Sequence, residues 1–196
     1  MARVIVLAGP SGSGKSRLAE RLGLPVLRLD DFYKNGDNPT LPRITTGPNA
    51  GIVDWDHPDS WLLDDAVTTL LDLCRDGRAE VPIYEIAQDG RCGWRTLDLA
   101  GSPLVVAEGI FAQRVVPAAQ AAGVLALAVC VRRSTAATFW LRLGRDLREH
   151  RKPPVVLLRR GLALARAQRT VVADAVRHGC VLMSPAEAAR AVAALR

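Results

Sequence analysis

Gly9-Pro10-Ser11-Gly12-Ser13-Gly14-Lys15-Ser16 fills the pattern G-x-x-x-x-G-K-[ST]. The run before it, Arg3 to Ala8, is short and β-branched, which predicts a buried strand. Lys15 to Leu22, after it, reads as a helix. Strand, glycine loop and helix in that order are the context in which the pattern carries meaning. Glycine accepts backbone angles that a Cβ forbids, so successive N–H groups can turn inward toward phosphate oxygens. The helix adds the positive end of its dipole. On this reading Gly9, Ser11, Gly12, Ser13, Gly14, Lys15, Ser16 and Arg17 surround the phosphates of ATP. Lys15 reaches the β and γ phosphates, and the Ser16 hydroxyl binds Mg²⁺. The bland alternative is a glycine-rich turn with a surface lysine, which the flanking strand and helix argue against.

Moving outward, Pro25 to Leu29 is a second apolar run, ending in Asp30-Asp31. Phe32 to His57 is rich in Gly, Pro, Asn and Thr and reads as a long irregular loop, a length that compact domains keep for function. Asp59 or Ser60 could cap a helix to about Arg75, with Trp61, Leu62, Val67, Leu70 and Leu71 as its apolar stripe. Val81 to Tyr84 and Thr96 to Leu99 flank a turn-rich stretch, Gln88 to Gly93, and predict a β-hairpin. Leu104 to Ala107 is a strand ending in Glu108-Gly109. Ala112 to Ala122 is helical and Val124 to Val131 is another buried strand. Ser134 caps a long helix to about His150, Pro153-Pro154 interrupts it, and a further helix runs from about Val155 to His178. Cys180 to Met183 reads as an edge strand and Pro185 to Leu195 as a closing helix. Buried strands alternating with helices predict a parallel α/β sheet covered on both faces.

The chain has 196 residues, which favours a single domain, and 49% of them are hydrophobic, ample for a core. No apolar run approaches the roughly 18 residues of a membrane span, and the first strand is too short for a signal-peptide core. A cytoplasmic protein with no membrane partner is therefore expected. Cys74, Cys92, Cys130 and Cys180 lie far apart with no C-x-x-C pair, which reads as reduced thiols. The net charge is +6, nearly all of it arginine, since the only lysines are Lys15, Lys34 and Lys152. Such a field suits a polyanionic nucleotide. No long basic run or RNP-type aromatic motif points to nucleic acid.

Other acids must say what the phosphate loop is for. In open α/β sheets ligands collect at the carboxyl ends of strands. Asp30 and Glu108 both end strands and should open on the same edge as the glycine loop. Phosphoryl transfer needs a bridging metal and an acceptor oriented in line. Asp30 is the candidate base and a metal contact, and Glu108 the candidate holder of Mg²⁺ or its waters. Each could instead close a turn.

Five further segments, in order, resemble the uridine kinase family. They are Leu29-Asp30-Asp31-Phe32-Tyr33-Lys34, Asp54-Trp55-Asp56-His57-Pro58-Asp59, Pro82-Ile83-Tyr84-Glu85 with Arg91, Val106-Ala107-Glu108-Gly109-Ile110, and Arg142-Leu143-Gly144-Arg145-Asp146. The resemblance implies a P-loop kinase fold: a five-stranded, mainly parallel sheet flanked by helices, with a hairpin at about 80–100 and a helical lid at about 142–154. It implies that Asp30 is the base near a nucleoside 5′-hydroxyl. It places Tyr33, Trp55, Asp56, Tyr84 and Arg91 around the acceptor, and Arg142 and Arg145 on substrate and phosphates. Ile86 and Asp89 stand where the family carries a Phe and a His that read the pyrimidine. Trp55, Trp61 and Tyr84 could also be core aromatics, and Arg142 and Arg145 a solvated helix face. His57, before Pro58, reads as a turn or packing residue.

The expectation is ATP-dependent transfer to a hydroxyl of a small molecule, a uridine or cytidine 5′-hydroxyl first. Pantothenate, a sugar or a sugar acid is the alternative acceptor. A non-catalytic nucleotide-binding adaptor, a nucleic-acid binder and a homo-oligomer are left open. The Asn-Lys-x-Asp guanine motif does not occur.

Overall fold

The computed structural model describes residues 1–10, 12–47, 49–132 and 170–196. Ser11, the helix proposed from Ser134, the proposed lid with Arg142 and Arg145, and most of the helix proposed from Val155 lie outside the described residues.

Five strands form one sheet in the order β2-β5-β1-β6-β7. They are β1 (Arg3–Ala8), β2 (Val26–Arg28), β5 (Leu104–Glu108), β6 (Leu125–Val131) and β7 (Val181–Met183), and every pairing is parallel. A second sheet is the antiparallel hairpin of β3 (Arg78–Glu85) and β4 (Gly90–Asp98). Alternate residues of the central strands face opposite layers. Val4, Val6, Leu27, Val105 and Ala107 pack under α2 (Leu63–Asp76) and α3 (Val116–Ala121). Ile5, Leu7, Leu104, Val106 and Val129 pack under α1 (Lys15–Leu22) and α4 (Pro185–Ala193). β1 is closed to solvent from Val4 to Ala8, so truncating Ile5 or Leu7 to Ala should cost about 2–5 kcal/mol. Among the described residues no helix is long and apolar enough to cross a membrane.

The register fixes what shares an edge. Leu7 of β1 and Arg28 of β2 both pair with Glu108 of β5, and Ala8 pairs with Cys130 of β6. The loop after β1, the turn after β2 and the end of β5 therefore emerge at one level.

Three local readings need correction. Helix α2 starts at Leu63, not at Asp59 or Ser60, and no side chain caps it. Pro58–Ser60 instead forms a short 3-10 turn whose cap is His57, with the ring Nδ1 accepting the Asp59 N–H at 3.2 Å. Trp61 consequently precedes α2, and the helix buries Ala66, Leu70, Leu73 and Cys74, with Val67 and Leu71 partly buried beside them. The hairpin turn is tighter than Gln88 to Gly93: Ile86–Gln88 make the turn and β4 already begins at Gly90. The Ala112 to Ala122 helix is split, with a 3-10 turn over Ala112–Val115 before α3. Cys74, Cys92, Cys130 and Cys180 are free thiols, and only Cys92 is exposed.

Candidate active site

The glycine loop takes the shape its composition requires. Gly9, Gly12 and Gly14 have φ of +139°, +77° and +93°. A Cβ on Gly9 would lie 2.6 Å from the Val131 carbonyl oxygen of β6, so a larger residue would also collide with the sheet. α1 begins at Lys15 with no side chain capping it, which leaves its first N–H groups pointing into the loop. Lys15 is almost fully buried, while Ser16 and Arg17 are exposed on the first turn. The Ser13 hydroxyl is buried in the loop with no hydrogen-bond partner among the described residues. A cradle with unpaired donors and a buried lysine fits a phosphate chain.

Two strand-end acids close on this loop. Ser16 Oγ donates to Glu108 Oε2 at 3.0 Å. Burial pushes the Glu108 carboxyl above its ordinary value; the Ser16 hydrogen bond and the Lys15 charge pull it back, and the Asp30 charge adds to the rise. Asp30 sits on a 3-10 turn, Leu29–Phe32, directly after β2. Its Oδ1 accepts the Ile110 N–H at 2.9 Å. A Cβ on Gly109 would approach that oxygen to 2.7 Å, so the glycine after Glu108 is what lets the two acids stand side by side. The indole N–H of Trp61 donates to the Leu29 carbonyl at 2.6 Å and anchors the Asp30 turn. The donor set of one hydroxyl and two carboxylates suits a hard divalent cation such as Mg²⁺.

The proposed acceptor residues divide into two groups. Tyr33 is central to the first. Its ring lies 5.8 Å from Trp55, 5.9 Å from Tyr84 and 6.1 Å from Phe111. Burial raises its phenol pKa, and the charges of Asp30 and Asp56 raise it further, so the hydroxyl stays protonated and can donate. Trp55, Asp56 and Tyr84 are thus gathered around Tyr33, which follows Asp30 by three residues. Arg91 belongs to the second group. It stands opposite Tyr84 in the hairpin register, but its guanidinium lies 4.6 Å over the Trp94 ring and 3.9 Å from Asp65 of α2.

Two features of this region escaped the sequence reading. Asp31 is buried, its carboxyl raised by burial and countered by Arg28 at 3.9 Å and by the charge of Arg95. The Asp-Asp doublet was the available signal. Asn35, discussed below, binds the hairpin main chain, and only its place in a polar loop hinted at a role. The two departures in the hairpin, Ile86 and Asp89, stand at its turn. Ile86 is 85% exposed, and Asp89 adopts a left-handed conformation with φ +45°.

The description "PRK: Phosphoribulokinase / Uridine kinase family" matches residues 4–152. A uridine kinase of Schizosaccharomyces pombe is 34% identical over 117 residues, 56% of this chain and 25% of that protein. An inorganic pyrophosphatase, TTM2 of Arabidopsis thaliana, is 32% identical over 114 residues, 56% of this chain and 15% of that protein. The chain therefore spans a quarter or less of the length of these two relatives. Among solved structures, a candidate fructose transport system kinase from Silicibacter sp. TM1040 superposes with a TM-score of 0.58, covering 86% of this chain and 85% of that one at 19% identity. A candidate uridine kinase from Bacillus stearothermophilus gives a TM-score of 0.50, covering 70% and 74% at 20% identity. The structural likenesses speak for the fold, and the sequence match, three quarters of the chain long, speaks for descent: this chain belongs to the phosphoribulokinase/uridine kinase family.

Proposed function

We propose that this chain is an ATP-dependent kinase that moves the γ-phosphate to a hydroxyl of a small molecule, with the 5′-hydroxyl of uridine or cytidine as the first acceptor to test. The observation that carries the reading is the convergence at one sheet edge of Ser16, Glu108 and Asp30, with Ser16 bonded to Glu108 at 3.0 Å beside a buried lysine. Ser16 and Glu108 would hold Mg²⁺, with Asp30 as a further contact. Bound there, the ion would neutralise charge on the β and γ oxygens. Lys15 and the loop N–H groups orient the phosphate chain from the other side. Asp30 commits one oxygen to the Ile110 N–H, which fixes the carboxylate and leaves its other oxygen for the proton of an acceptor hydroxyl. Tyr33, Trp55 and Tyr84 offer ring faces to a flat or sugar-like acceptor, and Asp56 offers a carboxylate to its hydroxyls. The family resemblance assigns Arg142 and Arg145 to the charge that develops on the moving phosphoryl group.

A second reading keeps the chemistry and changes the acceptor to pantothenate, a sugar or a sugar acid. The exposure of Ile86 favours it, because a side chain 85% exposed at the hairpin turn reads no base. ADP release should be measured with uridine, cytidine, pantothenate, a hexose and an aldonic acid in turn. Acceptor-dependent release with a nucleoside supports the first reading, and release with another alcohol alone supports the second. ATP binding with no acceptor-dependent release from any of them contradicts both and leaves a nucleotide-binding adaptor.

A further inference from the structure

The β3–β4 turn is tied to the loop after Tyr33 at three places. The Gly36 N–H donates to the Asp89 carbonyl at 2.6 Å. The Arg91 N–H donates to Asn35 Oδ1 at 2.9 Å. The Tyr84 hydroxyl donates to the Lys34 carbonyl at 3.4 Å. The contact is close: a Cβ on Gly36 would sit 2.9 Å from the Asp89 Cβ. Asp89 is held at φ +45°, a region where non-glycine residues are uncommon.

Asn35 is the one member of this set whose side chain bonds the main chain of β4. Its amide oxygen takes the N–H that Arg91 presents outward from the hairpin. Arg91 is the register partner of Tyr84, so the bond sets the height of the hairpin at the level of the tyrosine. The Tyr84 ring lies 5.9 Å from Tyr33, which feels the charges of Asp30 and Asp56. Asn35 is thus linked through the hairpin register to Tyr84, and through the Tyr84 ring to Tyr33, three residues after Asp30.

We propose that Asn35 is a positioning residue for the acceptor, holding the hairpin turn down so that Tyr84 and Tyr33 make one wall of the pocket beside Asp30; this rests on the phosphotransferase reading above. A bland surface hydrogen bond would add a little stability and leave acceptor binding alone. The two differ in kinetics.

Steady-state turnover of Asn35→Ala should be measured with the most active acceptor of the panel just described, alongside amide hydrogen exchange at Gly36 and Arg91. Loss of the bond should raise the acceptor KM about tenfold, with kcat and the KM for ATP within about twofold of wild type. Exchange at both amides should quicken. Asn35→Asp, which keeps the accepting oxygen, should recover the acceptor KM to within about threefold. An unchanged acceptor KM in Asn35→Ala, or a parallel loss of ATP affinity, overturns the inference while turnover itself persists. A wild-type chain that turns over no acceptor overturns the kinase reading and this inference together.

Discussion

The proposed phosphate end and the proposed acceptor end of the site are made differently. The proposed phosphate end is built from main-chain N–H groups, three glycines at positive φ, and acids placed by strand register. The proposed acceptor end is built from side chains, with Tyr33, Trp55 and Tyr84 on a turn, a loop and a hairpin. Main-chain geometry survives most substitutions, whereas a wall of side chains changes with each residue. The strand-end acids are therefore less exposed to side-chain change than the residues of the hairpin. Glu108 accepts from Ser16 and Asp30 is held by the Ile110 N–H, whereas Ile86 projects into solvent.

That contrast can be broken by substitution. The largest effect is expected at the phosphate end. Lys15→Ala should abolish acceptor-dependent ADP release, a loss of at least about a thousandfold, while circular dichroism shows an intact fold. If Lys15→Ala keeps appreciable turnover, the cradle is not where the triphosphate reacts. A smaller and more selective effect is expected at the acceptor end. Trp55→Ala removes a ring that meets Tyr33 edge-on and should raise the acceptor KM about tenfold with little change in the KM for ATP. Equal losses for both substrates would show that the two ends are not separable.

The smallest effect concerns stability. The Glu108 carboxyl is raised by burial, so folding penalises its ionised form. A raised folded pKa means that the favourable contribution is present below the unfolded value and is lost as pH rises through the folded value. Glu108→Gln mimics the neutral form. In thermal scans without nucleotide it should raise the midpoint by on the order of a few degrees at pH 8 and by nothing measurable at pH 4. The same variant should lose the stabilisation that Mg²⁺-ATP gives the wild type. A midpoint that falls at pH 8 would mean that the Ser16 bond outweighs the desolvation.

The same division explains what could be read in advance. The parallel sheet, the glycine loop and the edge shared by Asp30 and Glu108 follow from apolar runs and strand ends, which are local signals. The boundaries at α2 and at the hairpin were misread because side-chain bonds and strand pairing decide them, not composition. Ser60 was available as a helix cap, but its hydroxyl donates to the Trp55 and His57 carbonyls, and Trp61 is pulled into the core by the Leu29 carbonyl. Gln88 to Gly93 reads as turn-rich on composition, but pairing with β3 draws Gly90 to Gly93 into the ladder. Asn35 was invisible for a similar reason: its partner Arg91 is 56 residues away, and no short-range pattern announces such a bond.

The most direct test is Asp30→Asn, assayed for ATP binding and for acceptor-dependent turnover on the same preparation. The amide is nearly isosteric, and its carbonyl oxygen can still take the Ile110 N–H. ATP affinity should stay within about twofold of wild type, while kcat falls by about 10²–10⁴ because no carboxylate remains to take the acceptor proton. Near-normal turnover in Asp30→Asn would contradict the account and move the proton to another group.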